Sequence, residues 1–114
     1  MLHEAGTYGK PLYVTENGIA DATDTTRPQF LMDHLRQVQH AITVDHLPIR
    51  GYFQWSPTDN FEWSSGYLPK FGLASFDPVT LARTLRPASV AVFKGAAKAD
   101  ALTPALQTQY PASP

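Results

Sequence analysis

Residues 11–18 read PLYVTENG, and this stretch decides how the rest of the chain is interpreted. Residues 12–14 form a short apolar run rich in strand-forming types, and Gly18 with the polar residues after it ends the run. Glu16 is therefore expected where a buried strand opens into a loop. Barrel-type α/β proteins keep their reacting groups there, at the carboxyl edge of a parallel sheet. A Glu at a strand end is also often a loop residue or the partner of a nearby Arg, so the stretch alone leaves both interpretations open.

A helix and a second strand follow. The helix is predicted from Arg27-Pro28 to about His46, because Pro is tolerated in a first turn and the apolar side chains share one face. Those side chains are Leu31, Leu35, Val38 and Ile42. The candidate caps are Asp24, Thr25 and Thr26. Residues 49–55 form a second apolar run, and strand, helix and strand in this order predict a βαβ unit with two parallel strands.

The remainder of the chain contains weaker signals. Residues 71–76 are predicted to form a short strand that ends at Asp77-Pro78. A last helix is predicted from Arg86-Pro87, with Val90, Phe93 and Ala97 on one face. We expect residues 1–99 to form one α/β segment. Residues 100–114 contain three prolines and little periodicity, so we expect a disordered tail.

Composition narrows the class of protein. The formal net charge of −1, with 9 basic and 10 acidic residues, gives no electrostatic basis for nucleic-acid binding. No apolar run approaches a membrane span, and the N-terminus lacks the pattern of a signal peptide. The absence of cysteine excludes disulfides and thiolate metal sites and is compatible with the cytoplasmic location that we expect. Three histidines, six residues apart, do not share a helix face at ligand spacing, so we expect neither a metal nor a cofactor.

A second informative stretch covers residues 51–72. It contains both tryptophans of the chain, Trp55 and Trp63, interleaved with acidic and amide side chains. Carbohydrate sites use this mixture, because sugar C–H faces stack on indole rings and sugar hydroxyls bind carboxylates and amides. A hydrophobic cluster beneath a long loop would give the same composition, and the residues alone leave the two interpretations about equal.

The predicted architecture is also incomplete. One helix cannot cover both faces of a parallel sheet, and two strands cannot close one. The chain either associates with another element or is part of a longer protein.

Both stretches together resemble glycoside hydrolase family 1, the family of β-glucosidases and β-galactosidases. Residues 15–18, TENG, resemble its nucleophile motif, and residues 51–73 resemble its sugar-binding segment in order and spacing. The resemblance implies the C-terminal part of a (β/α)₈ TIM barrel, about its seventh and eighth strands with their helices. The missing strands would then complete the site.

The resemblance also implies roles for five residues in hydrolysis of terminal non-reducing β-D-glycosides or oligosaccharides. Glu16 would be the nucleophile of a retaining double displacement. Trp55 would stack on the sugar, Glu62 would accept hydrogen bonds from O4 and O6, and Trp63 would donate one to a hydroxyl such as O3. Phe71 would line the same pocket.

One expected group is absent from the sequence. Retaining glycosidases need a second carboxylate about 5 Å from the first, which this family carries in an Asn-Glu-Pro segment, and no such segment occurs here. We therefore expect a chain that is inactive alone. The alternatives are a non-catalytic carbohydrate-binding segment and a thioglucosidase-like relative that keeps the nucleophile and lacks the acid/base.

Overall fold

A parallel pair of strands joined by a helix forms the centre of the structure, a computed structural model that describes residues 1–113. The elements in chain order are α1 (Leu2–Gly6), β1 (Leu12–Asn17), α2 (Arg27–Thr43), β2 (Ile49–Gln54), a 3₁₀ turn (Trp63–Ser65), β3 (Ala74–Phe76), β4 (Arg83–Leu85), α3 (Pro87–Ala99) and α4 (Pro104–Gln109). The β1–α2–β2 unit confirms the predicted βαβ arrangement. Leu12 lies opposite Ile49 and Asn17 opposite Gln54, so both strands end at the same edge.

Helix α2 begins at the predicted residue, but its cap comes from further upstream. Asp21 Oδ1 accepts the N–H groups of Thr23 and Asp24 at 2.9 and 3.0 Å, and Oδ2 accepts those of Thr26 and Arg27 at 2.8 and 2.9 Å. Burial by itself raises the pKa of Asp21, but the N–H donors and the Thr23 hydroxyl outweigh it and hold the pKa well below its ordinary range. Asp21 therefore does the capping predicted for residues 24–26, and the helix ends at Thr43, before the predicted His46.

The hydrophobic core lies between α2, α3 and the C-terminal segment. Its fully buried members are Leu31 and Met32 of α2 with Val92 of α3. The buried face of α3 differs from the predicted face, because packing against α2 selects Ser89, Val92, Phe93 and Ala96 in place of Val90 and Ala97.

The sequence predicted a disordered tail over residues 100–114, but residues 100–113 are folded against the core. Residue 114 lies outside the described residues. Thr103 Oγ1 accepts a hydrogen bond from the N–H of Leu106 at 3.3 Å and caps helix α4. Leu102 and Leu106 are buried in the same cluster as Leu31. Ser113 Oγ donates to Asp33 Oδ2 of α2 at 2.6 Å. Long-range packing thus orders a segment whose local sequence has no strong periodicity.

A small antiparallel hairpin joins β2 to α3. The predicted strand over residues 71–76 is shorter than expected, since β3 begins at Ala74. It pairs with β4, which sequence patterning did not predict. The hairpin places Arg86, the residue before α3, next to the loop that follows β2.

Candidate active site

The carboxyl ends of β1 and β2 bring the two informative stretches together. The backbone N–H of Trp55 donates to Asn17 O at 2.9 Å, next to the last residue pair of the two strands. A Cβ atom added to Gly18 would lie 1.9 Å from the carbonyl oxygen of Trp55, so only glycine fits at this crossing. Glu16 and Trp55 therefore leave the sheet at the same edge.

Glu16 is exposed at this edge. No side-chain hydrogen bond or ion pair formed within residues 1–113 holds its carboxylate. Its neighbour Asn17 is fixed, because the phenol of Tyr52 donates to Asn17 Oδ1 at 2.8 Å. Burial raises the pKa of Tyr52 above its ordinary value, which keeps the phenol protonated as a donor. The strand end is thus anchored while the carboxylate remains open.

Trp55 and Glu62 form a direct pair. Trp55 Nε1 donates to Glu62 Oε1 at 3.1 Å, and both side chains are half-buried. The hydrogen bond uses one carboxylate oxygen and leaves the other without a partner among residues 1–113. An indole ring beside an oriented carboxylate matches what a sugar ring requires, an apolar face and an acceptor for its hydroxyls.

The pair lies on the site loop, which we define as residues 55–73. Its two ends lie side by side, with Ser56 N–H bonded to Phe71 O at 3.2 Å and Leu73 N–H bonded to Ser56 O at 2.8 Å. Gly72 is buried at this contact, and a Cβ atom there would lie 2.2 Å from the nitrogen of Asp59. The backbone of the loop is therefore closed on itself at its base.

A buried ion pair locks this base. Both Asp59 carboxylate oxygens accept from the guanidinium of Arg86, at 3.0 and 2.9 Å, and Oδ1 also accepts from the N–H of Gly72 at 2.8 Å. Burial alone raises the pKa of Asp59, but Arg86 and the Gly72 N–H outweigh it and lower the pKa below its ordinary value. Sequence reasoning missed this pair, since 27 positions separate its members.

Trp63 and Phe71 occupy different surroundings on the same loop. Trp63 is 85% exposed and begins the 3₁₀ turn with φ at +48°, a conformation that bulky residues rarely adopt. Phe71 is half-buried at the base of the loop. The structure thus places Trp55, Glu62, Trp63 and Phe71 on one loop, with Glu16 at the adjoining strand end.

Aromatic contacts support the middle of the loop from the hairpin side. The ring of Phe61 meets that of Tyr67 edge-on at 5.6 Å, and Tyr67 lies 6.1 Å from Phe76 of β3. The guanidinium of Arg83 lies 5.2 Å from the Phe76 ring. The three aromatic rings thus connect Phe61, the residue before Glu62, to the β3–β4 hairpin.

Other features of the described residues lie away from this site. A cavity of 540 Å³ opens between α2, β2 and α3 and includes none of the predicted site residues in its lining. Within residues 1–113, no cluster of three His, Asp or Glu side chains is placed to hold a metal ion. None of the helices in that range is long and apolar enough to cross a membrane.

Comparison with known proteins identifies the family. The model of Glycosyl hydrolase family 1 matches residues 3–100. The chain belongs to glycosyl hydrolase family 1. This confirms the family predicted from the TENG and tryptophan-containing motifs.

Individual relatives show how much of a longer protein the chain matches. The chain is 44% identical over 91 residues to a β-galactosidase of Pyrococcus woesei, covering 80% of this chain and 18% of that protein. It is 46% identical over 88 residues to a chloroplastic galactolipid galactosyltransferase of Arabidopsis thaliana, covering 75% of this chain and 14% of that protein. The chain therefore spans less than a fifth of the length of these curated relatives.

Solved structures of family 1 enzymes agree with this fold. The structure superposes on the β-glycosidase of Thermosphaera aggregans with a TM-score of 0.89 and 39% identity, covering 98% of this chain and 23% of that one. It superposes on the β-glycosidase of Pyrococcus horikoshii with a TM-score of 0.87, covering 96% and 25%. These enzymes are TIM barrels, so the chain has the fold of a portion of one.

Proposed function

We propose that this chain is the part of a retaining β-glycosidase that carries the nucleophile, Glu16, and part of the sugar subsite. The main support is the shared edge of β1 and β2, where Glu16 is the second-last residue of one strand and the Trp55–Glu62 pair follows the other. We assign these strands to the seventh and eighth positions of the barrel. The substrates are terminal non-reducing β-D-glycosides.

The reaction divides between this chain and the rest of the enzyme. The Glu16 carboxylate attacks the anomeric carbon, so an ester bond forms as the glycosidic C–O bond breaks. The leaving oxygen takes a proton from an acid outside this chain. Water then attacks the anomeric carbon, gives a proton to the same group and releases Glu16.

Four residues of the site loop bind the sugar in this proposal. Trp55 stacks on the ring, and Phe71 lines the pocket. Glu62 accepts hydrogen bonds from hydroxyls far from the reacting carbon, oriented by its bond to Trp55, and the exposed Trp63 indole donates to another hydroxyl. Such remote contacts raise kcat when they strengthen as the sugar distorts.

The partner of the chain is the remainder of the barrel. Two parallel strands form too small a sheet to be stable alone, and β1 and β2 each have a free edge. The site is complete only when the other strands and their acid/base carboxylate are present, so the chain alone is inactive. We also propose a cytoplasmic location, on the basis of the cysteine-free composition.

Trapping of the glycosyl-enzyme ester tests the proposal. The chain is compared alone and in a chimaera, in which it replaces the matching segment of the Pyrococcus woesei β-galactosidase. Each is incubated with 2-deoxy-2-fluoro-β-glucosyl fluoride and analysed by peptide mass spectrometry. We expect one label, on Glu16, in the chimaera only, and no label in its Glu16→Gln variant.

Other results would select an alternative. A folded chimaera that binds glucose without labelling would favour the non-catalytic carbohydrate-binding function, and labelling at another residue would exclude Glu16 as the nucleophile. The thioglucosidase-like alternative is separated by the longer protein's own sequence, where Gln in place of Glu in its Asn-Glu-Pro segment would show that the acid/base is lost.

A further inference from the structure

The dipeptide Arg-Pro occurs at the start of two helices: Arg27 is the first residue of α2, and Arg86 directly precedes the first residue of α3. Both arginines are buried. Arg27 of α2 has no exposed surface and Arg86, before α3, is 8% exposed. Proline in the first turn explains the second residue of each pair. It does not explain why a long cationic side chain is buried at both positions, where an uncompensated charge is costly.

Arg27 holds one side of Phe71. Its Nη2 donates to the carbonyl oxygens of Asp21 and Lys70, the latter at 2.6 Å, and its Nη1 pairs with Asp24 Oδ1 at 3.2 Å. The N–H of Asp21 also donates to Lys70 O, at 2.9 Å. The loop after β1 and the end of the site loop are thus joined at the residue before Phe71.

Arg86 holds the other side. Its Nη1 donates to Gly72 O at 2.6 Å, in addition to the two bonds that its guanidinium makes with Asp59. The backbone N–H of Arg86 donates to Leu73 O at 2.8 Å. A planar guanidinium can serve a carboxylate and a carbonyl together, which an ammonium group cannot do in the same geometry.

The two side chains therefore hold the carbonyl groups on either side of Phe71. The carbonyl of Phe71 itself accepts the N–H of Ser56, the residue after Trp55. Displacement of the segment 70–72 would therefore move the Phe71 side chain and the backbone that carries Trp55. Charge-assisted hydrogen bonds in a buried setting resist such displacement.

We infer that Arg27 and Arg86 are positioning residues for the sugar subsite, acting through the Lys70–Gly72 backbone on Phe71 and Trp55. The inference rests on the proposed function, because it assigns these two side chains to the sugar-binding geometry. Their substitution slows formation of the glycosyl-enzyme ester in molecules that are fully folded.

The trapping reaction separates positioning from folding, because it gives two readouts. The final labelled fraction counts intact sites, and the rate constant reports how well each site is arranged. In the chimaera we expect Arg27→Lys and Arg86→Lys to reduce the rate constant about 10- to 100-fold, the loss produced by misplacement on the order of 1 Å. The final labelled fraction should match that of the unsubstituted chimaera.

Arg36→Lys is the matched control. Arg36 lies on α2, pairs with Asp33 at 2.8 Å and donates to the carbonyl of Tyr110, away from the site loop. We expect it to change neither readout. Each Lys variant retains an ammonium group that can still pair with the carboxylate already present, Asp24 at position 27 or Asp59 at position 86.

The outcomes distinguish the two proposals. An unlabelled Glu16 in a folded, unsubstituted chimaera overturns the proposed function. Labelling there, with unchanged rate constants in both Lys variants, overturns the positioning role alone. A labelled fraction that falls while the rate constant of the remaining sites is unchanged also overturns it, because the arginines would then act only on folding.

Discussion

The strand end that carries Glu16 and the site loop differ in how the chain holds them. The Glu16 carboxylate is exposed and lacks a side-chain partner within residues 1–113. Backbone hydrogen bonds and the buried Asp59–Arg86 ion pair close the site loop. Arg27 and Arg86 also donate hydrogen bonds to the carbonyl oxygens of Lys70 and Gly72. Contacts within the described residues therefore fix the arrangement of the proposed binding residues, whereas the carboxylate of the proposed nucleophile is left open.

This difference follows from what each group has to do. A binding surface is effective when its donors, acceptors and apolar faces are fixed before the ligand arrives, because less ordering is then required on binding. A nucleophilic carboxylate must remain free to bond to carbon, and its electrostatic environment comes from groups arranged around the reacting sugar. In the proposed enzyme, most of those groups would belong to the strands that complete the barrel.

Removal of the proposed nucleophile gives the largest expected effect. In the chimaera, Glu16→Gly should lower kcat on an aryl β-glucoside by about 10⁴-fold or more, as loss of a catalytic nucleophile does elsewhere. Added azide should restore turnover, because the small anion enters the space left by the carboxylate and attacks the same face of the sugar. The product should then be the α-glycosyl azide, which NMR identifies.

Near-normal hydrolysis by Glu16→Gly would place the nucleophile elsewhere. A β-glycosyl azide would be equally decisive, because it would mean that azide did not attack from the position of Glu16. Glu4→Gln is the control, since Glu4 is exposed on α1 and far along the chain from the site loop. It should leave kcat unchanged.

The fold was predictable where local signals and packing agree. The β1–α2–β2 unit combines a strand-forming run, an apolar helical stripe and a second strand, and each signal is reinforced by its neighbours. The C-terminal segment was not predictable in this way, because Leu102 and Leu106 are buried through contacts with α2 and α3 that the local sequence does not encode. Strand β4, of three residues, exists only through its pairing with β3.

The residue types of the proposed site were predictable from the sequence, but the tertiary contacts that hold those residues in place were not. Glu16, Trp55 and Glu62 were predicted because acidic and aromatic residues occur at strand ends and in a recognisable order, and their roles remain a proposal. The partnership of Asp59 with Arg86 was invisible, since it depends on the hairpin that returns the chain to the loop. Local sequence shows which groups can do chemistry, whereas tertiary contacts show what holds them.

Loss of the buried Asp59 carboxylate tests whether its ion pair stabilises the base of the site loop. Asp59→Asn in the chimaera should reduce the free energy of unfolding by about 3–5 kcal/mol at pH 7, because Arg86 remains buried without its counter-charge. Since the folded pKa of Asp59 is lowered, the stabilisation is fully present above its unfolded pKa of about 3.9 and is lost as the pH falls toward the folded value. Denaturant unfolding at pH 7 and pH 3 measures the difference.

The difference between Asp59→Asn and the unsubstituted chimaera should therefore narrow at pH 3. A difference that stays constant with pH would contradict stabilisation through the ionised carboxylate. Asp77→Asn provides the control for a carboxylate whose pKa is also lowered but which is exposed and bonded only within its own turn. Its effect on unfolding should be small at both pH values.

Neutralisation of Glu62 gives the smallest and most selective effect. Glu62→Gln keeps an oxygen that can accept the Trp55 N–H, so the loop should stay folded. The variant loses a charged acceptor for sugar hydroxyls, worth about 1.5–3 kcal/mol, which corresponds to roughly a 10- to 100-fold drop in kcat/KM for the β-glucoside. If the site loop binds the distorted sugar more tightly than the undistorted substrate, the substitution must lower kcat as well as raise KM. A change in KM alone would mean that the rigid loop only holds the substrate, and unchanged kinetics would remove Glu62 from the sugar subsite.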